Sequence, residues 1–101
     1  MSADLIARFG RRFIDSARQR LAAAKELDGE RPADAARTLA LHLHSISGEA
    51  AMIGFPELSQ LAREAMQLAR AVENGTSPPG PCATTIARLS ALIDEIERSL
   101  P

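Results

Sequence analysis

Tryptophan and tyrosine are absent, and phenylalanine occurs only three times. A chain this poor in aromatics has no platform for stacking bases and does not read as a sheet protein. Long apolar runs are missing too: none approaches the roughly 20 residues that span a bilayer. The N-terminal stretch lacks the apolar core of a secretory signal, because Arg8, Arg11 and Arg12 interrupt it. The single cysteine, Cys82, excludes an internal disulfide and fits a reducing compartment. Neither sign of charge dominates, with twelve basic and thirteen acidic residues and a formal net charge of −1. That excludes the basic field expected of a nucleic-acid binder. Arg8, Arg11, Arg12, Arg18 and Arg20 crowd the first segment, but Asp4 and Asp15 interleave with them, as on a solvated helix face. The expectation is a cytoplasmic monomer with no nucleic-acid or membrane partner.

Leucine and alanine are abundant, and apolar residues make up 46% of the 101-residue chain. That length supports one domain with one core, expected over residues 1–101. Four amphipathic segments follow one another. The first, about 3–27, repeats Ile6, Phe9, Phe13, Ala17, Leu21 and Ala24 at intervals of three and four. LDGERP breaks it, and Pro32 suits the opening turn of the next helix. The second, about 33–53, carries Leu39, Leu43, Ile46, Ala50 and Ile53. Gly54-Phe55-Pro56 ends it, with Phe55 expected to pack at the turn. Pro56 opens the third helix, about 56–74, which carries Leu58, Leu61, Ala65, Leu68 and Val72 and stops at Asn74-Gly75. GTSPPGP is a loop rich in helix breakers, and the fourth helix, about 82–100, repeats Ile86, Leu89, Ile93, Ile96 and Leu100. Four such stripes with short connections predict an all-α, antiparallel four-helix bundle.

One residue resists this pattern. Gly48 sits inside the second helix, where glycine costs about 1 kcal/mol relative to alanine. On a helical wheel with Leu39 at zero, His44 falls near 140°, Gly48 near 180°, Ala51 near 120° and Ala40 near 100°. Leu41 and Met52 flank this face at about 200° to 220°. His44 therefore points away from the bundle centre into a strip of small or apolar side chains, nearly bare of charge except for Arg37. Such a surface lets another protein's backbone approach closely. Gly48 is expected to leave the imidazole uncrowded. His42, near −60°, borders the core and faces away from His44, so the two cannot share a metal.

The stretch HSISGEAAMIGF is similar to the signature of histidine-containing phosphotransfer (Hpt) domains, including those of chemotaxis-type histidine kinases. His44, Ile46, Gly48, Ala50, Gly54 and Phe55 stand in matching positions. The resemblance implies a phosphorelay module in which His44 accepts a phosphoryl group from a receiver-domain aspartate and donates it to another. It implies partners among receiver domains and sensor histidine kinases, no cofactor in this chain, and Mg2+ on the receiver. The family pattern has lysine three residues after the histidine, and here Ser47 stands there, able to donate one neutral hydrogen bond to the phosphoryl oxygens. Arg37, two turns back, is a candidate compensating cation, and Arg63 and Arg70 on the third helix are others. Chemotaxis-type members place a glutamate on the next helix against the imidazole. Ungapped counting lands on Met66, with Glu64 and Gln67 nearby, and Gln67 is the candidate partner. Ala40, Leu41, Ala51 and Met52 are the expected docking residues.

A docking module that has kept this face and lost the chemistry is the alternative, because the lysine is missing. An autonomous enzyme or metalloprotein is disfavoured: inward Glu-x-x-His pairs, a zinc ligand set and a glycine-rich phosphate loop are all missing.

Overall fold

The computed structural model describes residues 3–100 of the chain, so residues 1, 2 and 101 of the expected domain lie outside it. Four α-helices account for most of the described residues: α1 (Ala3–Leu21), α2 (Pro32–Ile53), α3 (Pro56–Glu73) and α4 (Pro79–Ser99), with a 3-10 segment at Ala22–Asp28. There is no strand among the described residues. Connections are short and the helices stack as an elongated bundle of 44 × 18 × 17 Å. The all-α bundle expected from the apolar stripes is the observed fold.

The first helix departs from its expected length. It is α-helical only to Leu21, and the remainder of the segment tightens into the 3-10 form. The reason lies in periodicity. At three residues per turn, Leu21, Ala24 and Leu27 eclipse one another, whereas an α-helix would swing Leu27 well off the direction of Leu21. Leu21 and Leu27 are both buried, and Ala24 packs against the same core. The stripe on α1 is also turned from its expected place. Ile14 is 1% exposed while Phe9 is 42% exposed. Gly10 is buried beside Leu100 and Phe55, where a Cβ would stand 3.3 Å from a Leu100 methyl, so this close approach rotates Phe9 outward.

The turn between α2 and α3 is two residues long and depends on Gly54. Its φ of 102° lies in the left-handed region, and its N–H and that of Phe55 both donate to the Ala50 carbonyl, at 3.1 and 2.8 Å. Phe55 packs against Phe13 of α1, ring centroids 6.0 Å apart, as expected of a residue at this corner. At the other end of the hairpin, α4 begins three residues earlier than the breaker-rich loop suggested. Pro79 and Pro81 fall in its first turn, where the missing N–H groups have no intrahelical partner to lose. The core is built from Phe13 and Ile14 of α1, Leu39, Leu43 and Ile46 of α2, Leu58 of α3, and Leu89 and Ile93 of α4. Arg18 ties α1 to α4 with hydrogen bonds of 2.8 and 2.9 Å to Glu97 and 2.8 Å to Asp94.

Candidate functional site

The buried arc of α2 is wider than its leucine stripe. Ala36, Ala40 and Ser47 are buried along with Leu39, Leu43, Ile46 and Ala50. The extra residues lie on one side, where α3 packs with its own small residues Ser59, Ala62, Ala65 and Ala69. Small side chains on both helices let their axes come close. His44 lies just beyond this seam on the wheel, past Ala51, and both are exposed. Within the described residues its imidazole has no hydrogen-bond or ion-pair partner. His42 is half-buried on the opposite border of the arc, as expected.

Two expected site residues are therefore corrected. Ala40, expected as a docking contact, is 5% exposed because it serves the crossing with α3. Ser47, expected to offer its hydroxyl at the surface, is 6% exposed and committed to the interior. Its Oγ donates to the Ser59 carbonyl at 3.3 Å, and the Ser59 Oγ donates to the Ser47 carbonyl at 2.9 Å. The two hydroxyls thus bracket the seam, each capping the other helix's carbonyl in an otherwise apolar contact. Ser59 escaped the sequence reading. The available signal was a serine inside the buried run Leu58-Ser59-Ala62-Ala65.

The serine bracket fixes which residues of α3 stand level with His44. Ser47 lies across from Ser59 and Arg63, whose Nε donates to the Ser47 Oγ at 3.3 Å. Two turns or more toward the start of α2, Arg37 reaches Glu73, Nε to carboxylate 3.8 Å. Arg37, Ala40 and Leu41 share a groove with Arg70, Glu73 and Asn74. In this antiparallel register His44 falls opposite the stretch from Arg63 to Arg70. Met66, on that stretch, is half-buried against the core, and Gln67 is exposed one position further out. Glu64 faces the other way, into a groove with Arg88 and Leu92 of α4. Arg37 itself is exposed and turns across the hairpin toward the Glu73 carboxylate.

The remaining outer-face residues lie where the wheel placed them. Leu41 is 67% and Met52 85% exposed, Ala51 and Gly48 are exposed, and Met52 borders an apolar groove with Phe9, Phe13 and Ile53. Gly48 has a different setting from the one expected. A Cβ built there meets no heavy atom within 4 Å, so alanine would not crowd His44 within the free chain. Any steric purpose of this glycine concerns an approaching molecule.

No group of three or more histidine, cysteine, aspartate or glutamate side chains that could hold a metal occurs among the described residues. Cys82 is buried, its thiol pushed upward in pKa by desolvation and pointed at the Ala65 carbonyl, Sγ to oxygen 3.8 Å. No helix among the described residues is long and apolar enough to cross a membrane.

The chain matches the family model of the Hpt domain over residues 9–99. The chain belongs to the Hpt domain family. Hpt domains are phosphocarrier modules of phosphorelay signalling rather than autonomous enzymes, and they interact with receiver domains and kinases of two-component systems. Searches of curated proteins and of solved structures found no match.

Proposed function

We propose that this Hpt domain carries a phosphoryl group on His44, taking it from an aspartyl phosphate on a receiver domain and returning it to another. The observation that supports this reading is the exposure of the His44 imidazole on an uncluttered flank of α2. In the forward step a neutral imidazole nitrogen attacks phosphorus, an N–P bond forms, and the P–O bond of the acyl phosphate breaks. The aspartate leaves as carboxylate with the bonding electron pair. The other ring nitrogen keeps its proton or yields it to solvent. Such transfers need an in-line nucleophile and charge compensation more than covalent machinery. Mg2+ belongs to the receiver in this scheme, and this chain supplies the nucleophile and the docking face. Leu41, Ala51 and Met52 make up that face on α2, with Gly48 leaving room for the approaching receiver.

The test is direct. Supplied with a phosphorylated receiver, the parent chain is expected to acquire an acid-labile phosphate at His44. His44→Gln is expected to acquire none, and His42→Gln to label like the parent. A second reading, docking without chemistry, is favoured by the burial of Ser47 at the position of the family's lysine. Receiver binding that survives His44→Ala, with no phosphate on the parent, would establish that reading instead.

A further inference from the structure

We infer that Arg63 is the cation that meets the phosphoryl group on His44, and that the buried Ser47 hydroxyl positions it; this rests on the carrier reading above. A phosphoryl group on an exposed imidazole adds negative charge that a neighbouring cation stabilises, most strongly through the paired N–H groups of a guanidinium. Three arginines stand along the α2–α3 seam near His44, and their surroundings differ. Arg37 reaches Glu73 at 3.8 Å, and Arg70 lines the same groove as that carboxylate. Arg63 has no carboxylate within ion-pair distance among the described residues. Its Nε is instead given to the Ser47 Oγ at 3.3 Å.

That contact has a direction. Ser47 is buried while Arg63 is exposed, so holding Nε against the seam leaves the Nη1 and Nη2 groups toward solvent. Ser47 follows His44 by three residues, about 4.5 Å along the helix axis, on the edge of α2 nearest the imidazole. The Ser47 hydroxyl is itself held in place by the reciprocal bonds with Ser59. An arginine tethered at Nε has lost much of its rotamer freedom before the phosphate arrives, which lowers the cost of ordering it. The arginine then supplies the positive charge beside His44, and the serine acts only by holding the arginine.

The experiment uses the whole chain and potassium phosphoramidate, a small donor that removes docking as a variable. The imidazole nitrogen attacks phosphorus, the P–N bond breaks, ammonia leaves with the electron pair, and the imidazole proton passes to solvent. Arg63→Gln is expected to slow labelling of His44 at least about tenfold, and Ser47→Ala about threefold to fivefold, with Arg63→Lys between parent and Arg63→Gln. In the Arg63→Gln background, Ser47→Ala is expected to add nothing. Thermal midpoints recorded alongside separate slowed transfer from unfolding. A parental labelling rate in Arg63→Gln, with His44 still labelled, overturns the inference and leaves the carrier reading standing. Equal slowing by Ser47→Ala in both backgrounds overturns the role given to Ser47. A parent chain that takes no label at His44 removes both.

Discussion

Gly48 and His44 show how one helix face divides between stability and access. Alanine at position 48 would meet no atom within 4 Å, so nothing inside the molecule requires the glycine. Gly48→Ala is therefore expected to raise stability by about 1 kcal/mol, read as a higher denaturant midpoint. If the bare backbone serves the partner, the same variant will transfer phosphate from a receiver more slowly while reacting with a small donor at the parental rate. Equal rates with both donors would assign no docking role to the glycine. The exposed histidine was legible in the sequence because helical spacing fixes direction to within a few tens of degrees. The inward turn of Ser47 was not. Its wheel position lies between core and surface, and only the neighbouring helix decides which it joins.

At the scale of elements, apolar periodicity located all four helices, since each stripe exists to face a common core. The ends were harder. Pro79 and Pro81 read as breakers in isolation but are harmless in a first turn, and only the packing of Leu27 selects the 3-10 form over a longer α1. The outer face of α2 carries Leu41 and Met52 on either side of His44, about 16 Å apart along the axis. Replacing either with glutamate is expected to weaken receiver binding, measured by titration calorimetry, and to leave the thermal midpoint close to the parent's, because both side chains are already exposed. Undiminished binding by both variants would move the docking face elsewhere. Ala40 cannot share in it, since its methyl is covered by α3.

Across the whole molecule, the hairpin of α2 and α3 is buttressed by α1 and α4, and the buttress is fastened by charge. Hydrogen bonds from Arg18 hold the Glu97 carboxyl below the usual carboxylate range. A depressed folded value means the stabilisation is present above the ordinary glutamate range, near pH 4.3, and is lost as pH falls through the lower folded value. Denaturant midpoints are expected to fall in that acid window, and Arg18→Gln to flatten the fall. Both groups are solvent-exposed, so added salt should shrink the difference between the two proteins. The serine bracket has the opposite character, being shielded from salt and acid alike. Alanine methyls alone would let one rod creep along its neighbour with little penalty. Two hydroxyls that each need the other helix's carbonyl act as a dowel, so the height of the His44 imidazole above the third helix is set by carpentry and not by friction.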